Sequence, residues 1–170
     1  MKTTDPKPST WITEALDAKI RQASGSRRSF AGTVEAVTPA GRVTVVVEDA
    51  DRLGVLAGPV TATRPEGSPA NVPAQAAEAV RRLTYLQEPL AVIESEDRRG
   101  RAILRSAAPR PADGGGREYN EAILDGGGSV SIRRYRAESG SRRKSVPSNL
   151  SRDTLGRLSD DLVDILDKTR

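Results

Sequence analysis

Apolar residues recur along this chain at two spacings, a helical one of three or four positions and an alternating one. The helical spacing comes first and predicts an amphipathic helix that Thr10 caps and Gly25 ends. Trp11 lies in its first turn, where we interpret it as a side chain that closes the helix onto a sheet. The alternative is an exposed anchor for a partner. The apolar positions of this helix are Ile12, Ala15, Leu16, Ile20 and Ala23.

An alternating pattern follows the first helix. Phe30, Gly32, Val34 and Ala36 alternate before the turn residues Thr38, Pro39, Ala40 and Gly41, and Val43, Val45 and Val47 alternate after them. Such a pattern predicts a β-hairpin. The next segment, residues 53–63, is apolar and interrupted by glycines, which predicts one or two short strands.

Residues 64–73 contain three prolines and a glycine, which indicates a linker or a long loop. We expect a disordered tail at 1–9 and a single α+β domain at 10–170 that contains this segment as a loop. Alternatively, this Pro-rich linker joins two subdomains at 10–63 and 71–170.

A second helix follows the linker. Asn71 is placed to cap it, and the apolar positions that follow recur at helical spacing to about Leu86, with Pro89 just beyond. Tyr85 lies outside the apolar stripe, either facing solvent or packing at the end of the helix. The apolar stripe comprises Ala76, Ala79, Val80, Leu83 and Leu86.

Two further hairpins are predicted after Pro89. The first pairs residues 90–95 with 101–107, and the second pairs residues 117–124 with 129–136 across a run of three glycines. The glycine triplets precede strands rather than a helix, so they indicate turns and not a phosphate-binding loop.

The register of the second of these hairpins decides which side chains share a face. We expect Leu124 to lie opposite Ser129, which places Glu121 opposite Ile132 and Tyr119 opposite Arg134. This face would be apolar near the turn and cationic at its far end. Glu118 falls on the other face of the strand, so the two glutamates cannot act on one substrate.

The last part of the chain consists of a polar, basic segment and a third helix. Residues 139–148 are predicted to be a mobile loop, and Ser151 is placed to cap the helix. By default this helix covers the sheet of its own chain, since the sheet otherwise has too few apolar residues to form a core. The alternative is an apolar face that contacts a partner. The apolar stripe comprises Leu155, Leu158, Leu162, Ile165 and Leu166.

Composition excludes most catalytic chemistry. The 170 residues contain no His and no Cys, so nucleophile pairs that use either residue, disulfides and the usual zinc sites are absent. Asp49 and Asp51 could hold a hard cation, but no glycine or distal Glu stands where a calcium loop requires one. We therefore predict no enzyme, no metal, no cofactor and no small-molecule substrate.

The start, residues 1–9, lacks the apolar stretch of a signal peptide, and no apolar run is long enough to span a membrane, which predicts a cytoplasmic protein.

Positive charge is concentrated in one part of the chain. The net charge is +4, with 22 Arg and 5 Lys, and residues 97–144 contain twelve basic and six acidic side chains. Such a region is typical of phosphate contacts, although charged strand edges also prevent aggregation. Sequence-nonspecific nucleic-acid binding through residues 98–144 is therefore an alternative function. The candidate contacts are Arg133, Arg134, Arg136, Arg142, Arg143 and Lys144.

The order of the elements predicts an α+β fold in which antiparallel hairpins form a sheet covered by an N-terminal, a central and a C-terminal amphipathic helix. In element order alone, without a shared motif, it is similar to the small bacterial α+β type III secretion chaperones, which bind a segment of another protein and often dimerise. This similarity implies an adaptor or chaperone-like role, with another protein or a second copy as the partner. The candidate apolar contacts are Trp11, Leu155, Leu158 and Leu162.

Overall fold

The computed structural model describes residues 6–23, 29–66, 70–96 and 100–168. The three helices are α1 (Pro8–Gln22), α2 (Val72–Arg82) and α3 (Arg152–Leu166). The ten strands are β1 (Phe30–Thr38), β2 (Gly41–Ala50), β3 (Gly54–Thr63), β4 (Leu90–Glu96), β5 (Arg101–Ser106), β6 (Arg110–Pro111), β7 (Arg117–Asp125), β8 (Ser129–Ala137), β9 (Lys144–Val146) and β10 (Ser148–Ser151).

All the described strands belong to one antiparallel sheet. Its main path runs β1, β2, β3, β8, β7, β5, β4, and the short strands β6, β9 and β10 pair with β7, β8 and β3. The predicted α+β class and all three predicted hairpins are confirmed. Of the segment 53–63, for which one or two strands were predicted, residues 54–63 form a single strand, and its pairing with β8 joins the N-terminal and C-terminal strands into a continuous sheet.

One face of the sheet packs against the three helices, and within the described residues no helix covers the other face. Alternate residues of each central strand are buried in a single apolar cluster that also contains the inward side chains of all three helices. Most of their neighbours on the opposite face are half-buried or exposed. The exceptions include Tyr119 and Glu121, which other side chains of the same face cover. We call this second surface the uncovered face. It includes the odd-numbered residues of β5, β7 and β8.

Helix α1 begins three residues earlier than predicted, so Thr10 lies within the helix and does not cap it. Pro8 stands at its first turn, where a missing N–H is no disadvantage, and Lys7 precedes it without a side-chain cap. The predicted tail at 1–9 thus includes two helical residues, and residues 1–5 lie outside the described part, as does Gly25. Our interpretation of Trp11 as a closing side chain is wrong, because it is 44% exposed and lies outside the apolar cluster.

The predicted caps of the other two helices are confirmed. The side chain of Asn71 accepts a hydrogen bond from the Ala74 N–H, and that of Ser151 accepts one from the Thr154 N–H. Helix α2 ends at Arg82, four residues before the predicted end, since the following residues form turns. In the preceding Pro-rich segment, residues 64–66 belong to no helix or strand, Pro73 lies in the first turn of α2, and residues 67–69 lie outside the described part.

Helix α3 is the central helix of the core. The side chains of Leu155, Leu158 and Leu162 are buried against the sheet and the other helices, as the default interpretation predicted. The alternative interpretation, in which these three leucines contact a partner, does not agree with this arrangement, because no partner can reach them without unfolding the helix from the sheet.

Helices α2 and α3 are also joined by charge. The carboxylate of Glu78 accepts hydrogen bonds from Arg81 and Arg82, and Arg82 continues to Asp161 and Asp164 of α3. These hydrogen bonds lower the pKa of Glu78 to about 2, and the bond from Arg81 has a larger effect than the bond from Arg82.

This network predicts a loss of stability in acid. Because the folded pKa of Glu78 lies below its unfolded value, its contribution is present above the unfolded pKa and is lost as the pH falls toward 2. We expect the free energy of unfolding to fall more steeply with acid in the wild type than in Glu78→Gln. Urea denaturation at a series of pH values from about 6 downward measures the difference. If the free energies of unfolding of the wild type and Glu78→Gln fell in parallel with pH, Glu78 would make no such contribution.

The register of the β7–β8 hairpin differs from our expectation by one residue. Asp125, rather than Leu124, lies opposite Ser129, since the three glycines alone form the loop. The Gly128 N–H donates to the carbonyl of Asp125, and Gly128 has a φ of +89°, a conformation that favours glycine. A shift of one residue changes the cross-strand partner of every residue in the hairpin, so Tyr119 lies opposite Tyr135 and not opposite Arg134.

The basic segment at 139–148 is only in part a loop. Residues 144–146 form β9 and pair with residues 134–136 of β8. Residues 148–151 form β10 and pair with residues 54–57 of β3. The prediction of a mobile loop across this whole segment is therefore wrong, because its last residues satisfy the backbone hydrogen bonds of two strands.

Candidate functional site

The uncovered face carries a cluster of aromatic and charged side chains on β5, β7 and β8. Tyr119 and Tyr135 are direct cross-strand partners, and their ring centroids are 5.9 Å apart with the ring planes inclined by 30°. The guanidinium of Arg143 lies 4.1 Å from the centroid of the Tyr135 ring, and that of Arg105 lies 5.0 Å from the Tyr119 centroid. Both distances are within the range of cation–π attraction.

A buried carboxylate lies beneath these arginines. Glu121 is 2% exposed, and its Oε2 accepts a hydrogen bond of 2.6 Å from Nη2 of Arg105 and another of 2.6 Å from Nη1 of Arg143. Burial by itself would raise the pKa of Glu121, but the hydrogen bonds from Arg143 and Arg105 outweigh it and hold the pKa below its usual value. Glu121 is therefore ionised at neutral pH.

A third arginine lies opposite Glu121 on the neighbouring strand. Arg133 is the cross-strand partner of Glu121 on β8; its side chain is exposed and forms no ion pair with any described residue. We call these residues the arginine–tyrosine cluster: Arg105, Arg133, Arg143, Tyr119, Tyr135 and Glu121. The cluster contains three guanidinium groups and only one carboxylate, so its net charge is +2.

Two isoleucines lie next to the arginine–tyrosine cluster. Ile103 on β5 and Ile123 on β7 are cross-strand partners, each two residues from a member of the cluster along its strand. Both are half-buried on the uncovered face. Beyond them, at the edge of the sheet, Ile93 lies in a β-bulge of β4 and is 50% exposed. The uncovered face thus combines apolar, aromatic and arginine side chains.

The six predicted cationic contacts are not equivalent. Arg134 is 5% exposed, lies on the helix-covered side and pairs with Glu88 and Glu118. It cannot reach a phosphate, because the register places it in the protein interior. Arg136 pairs with Glu118 and Glu138. Arg143 belongs to the arginine–tyrosine cluster. The remaining candidates, which form no ion pair within the described residues, are Arg133, Arg142 and Lys144.

Sequence reasoning missed a buried polar network on the helix side of the sheet. The Glu88 carboxylate accepts hydrogen bonds from Ser106 Oγ and from Arg134, whose Nη1 also donates to Asn120 Oδ1. Asn120 in turn donates to the carbonyl of Leu86. No local signal identifies such a network, because its four polar members come from four separate segments.

This network holds an unusual turn above a small pocket. The Glu88 N–H donates to the carbonyl of Leu86 over 2.6 Å, which closes a γ-turn in which Gln87 has a φ of +62°. The pocket has a volume of about 130 Å³ and is lined by both apolar and polar side chains, among them Leu86, Gln87, Ile132, Arg134 and Leu158.

The described residues provide no grouped metal ligands. No three carboxylates among them lie close enough together to hold a metal ion. Asp51 instead closes the turn between β2 and β3, where its Oδ1 accepts hydrogen bonds from the N–H groups of Leu53 and Gly54. These bonds, first that from Gly54 and then that from Leu53, lower the pKa of Asp51.

Comparison with known proteins yields no relative: no family profile, no curated protein and no solved structure matches the chain. None of the described helices is long and apolar enough to cross a membrane.

Proposed function

We propose that this protein is a cytoplasmic, non-enzymatic binding module that holds a segment of another polypeptide against the uncovered face of its sheet. The observation that carries the proposal is the composition of that face, in which the Ile103–Ile123 pair lies beside arginine and tyrosine side chains. Arg and Tyr are enriched at protein interfaces and among the residues that contribute most to binding. An apolar pair beside them supplies the area that a partner buries.

Nucleic-acid binding is the less favoured alternative. The rings of Tyr119 and Tyr135 stack on each other, and the guanidinium groups of Arg105 and Arg143 lie over them, so these rings are poorly placed to stack on bases. Of the six predicted cationic contacts, Arg134 is buried and Arg136 pairs with two glutamates. Only the remaining basic side chains favour phosphate.

A selection of displayed random peptides against the folded protein tests this function. We expect the selected peptides to lose at least about tenfold in affinity for the double variant Ile103→Thr/Ile123→Thr, which removes apolar contact area but keeps β-branched side chains in the strands. Val46→Thr is the matched control, since Val46 is also exposed on the uncovered face but belongs to β2.

The result has two clear forms. A loss confined to the isoleucine variant places binding at the Ile103–Ile123 pair. Selected peptides that bind both variants as well as the wild type, measured by fluorescence anisotropy, would contradict the proposed function, because binding would then not involve this part of the uncovered face.

A further inference from the structure

The arginine–tyrosine cluster has more cationic charge than its own carboxylate neutralises. Arg105 and Arg143 share the single carboxylate of Glu121, and Arg133 has no ionic partner within the described residues. The side chains of Arg105 and Arg143 are 36% and 40% exposed, so both guanidinium groups remain accessible from the uncovered face.

The cluster is also ordered before any partner arrives. The Arg143 guanidinium lies over the Tyr135 ring, and its Nη1 donates to both Glu121 and the Tyr119 hydroxyl. Arg105 is held by two hydrogen bonds to Glu121. Each guanidinium has five N–H groups, so both retain donors beyond these bonds. Side chains fixed in this way lose little conformational entropy when they bind an anion.

We propose that the arginine–tyrosine cluster binds carboxylates of the partner segment, which makes that segment acidic. This inference rests on the proposed function and identifies the chemistry of the partner. A carboxylate accepts two parallel hydrogen bonds from an arginine, the geometry that the free N–H groups of Arg105, Arg133 and Arg143 offer.

The spacing on the sheet defines the arrangement of the segment. The cluster and the Ile103–Ile123 pair are separated by two residues along both β5 and β7, which corresponds to about 7 Å. Alternate side chains of an extended peptide point to the same side with the same spacing. An extended partner therefore places an acidic residue two positions from an apolar one.

The peptide selection tests this chemistry directly. We expect peptides selected on the wild type to be enriched in Asp or Glu two positions from an aliphatic residue. Their affinity should fall at least about tenfold for Arg133→Glu, and it should fall as salt is raised from about 50 to 200 mM. Lys19→Glu is the matched control for charge, because Lys19 is exposed on α1, in the helix layer.

Different results would contradict the acidic partner and the proposed function. Selected peptides that lack acidic residues but still depend on Ile103 and Ile123 would overturn the acidic partner and leave the proposed function intact. Peptides that depend on neither feature would overturn both. A labelled oligothymidine that binds more tightly than the selected peptides near physiological salt, with a loss on Arg133→Glu, would also overturn this inference, because the cluster would then bind phosphates.

Discussion

Leu158→Asp is expected to unfold the protein. Leu158 is buried on α3 between the sheet and the other helices, so the substitution removes an apolar side chain from the core and places a carboxylate there. Loss of a buried leucine lowers the free energy of unfolding by about 2 to 5 kcal/mol, and an unpaired buried charge adds several more. This sum approaches the total stability of a typical domain, about 5 to 15 kcal/mol. Leu162→Asp is expected to act in the same way.

Circular dichroism and thermal melting measure this effect, and Leu158→Met is the control. Methionine keeps the volume and apolar character of the site, so this variant should lose less than about 1.5 kcal/mol. A folded Leu158→Asp with an unchanged melting temperature would contradict the placement of α3 in the core. A folded variant with a lower oligomeric mass would instead place Leu158 at an interface between copies.

The second large effect is expected at Arg134. Replacing it with Met leaves the buried carboxylate of Glu88 without the cation that accompanies it. Removal of one partner of a buried ion pair destabilises a protein by about 3 to 5 kcal/mol, since the other charge stays buried and uncompensated. Thermal and urea denaturation measure the loss. If Arg134 were instead a surface contact for nucleic acid, stability would hardly change.

Arg133→Met provides a closely matched control. The two arginines are neighbours on β8 but lie on opposite faces of the sheet, and only Arg134 is buried. We expect Arg133→Met to change stability by less than about 0.5 kcal/mol. In the double variant Arg134→Met/Glu88→Gln the buried charge is gone, so it should recover part of the loss seen in Arg134→Met alone. Equal losses in the single and double variants would show that the two residues are not coupled.

These variants also separate stability from binding. Arg134 and Arg133 were predicted together as anion contacts, yet one stabilises the interior and the other is exposed beside Glu121. A loss of binding in Arg134→Met would follow from unfolding, whereas a loss in Arg133→Glu would come from the uncovered face. The sheet therefore divides the arginine-rich region into a buried, structural side and an exposed side, which is the one that we propose binds the partner.

The sequence by itself determined most of the local structure. Alternation in residues 30–36 and 43–47 predicted the first hairpin, because an antiparallel strand with one face on the core shows this pattern. Asn71 and Ser151 predicted two helix starts, since their side chains accept hydrogen bonds from N–H groups three residues onward. The leucine stripe of α3 predicted a covering helix. Each of these signals depends on residues close together in the chain.

Only the tertiary structure decided the candidate site. The β7–β8 register followed from a loop of three glycines, and the difference of one residue from our expectation brought Tyr119 to Tyr135 and moved Arg134 into the interior. The arginine–tyrosine cluster joins side chains from three strands and the segment before β9, and the position of the helices left it on the uncovered face. Contacts between distant segments depend on how strands pair and which face the helices bury, and no local pattern contains that information.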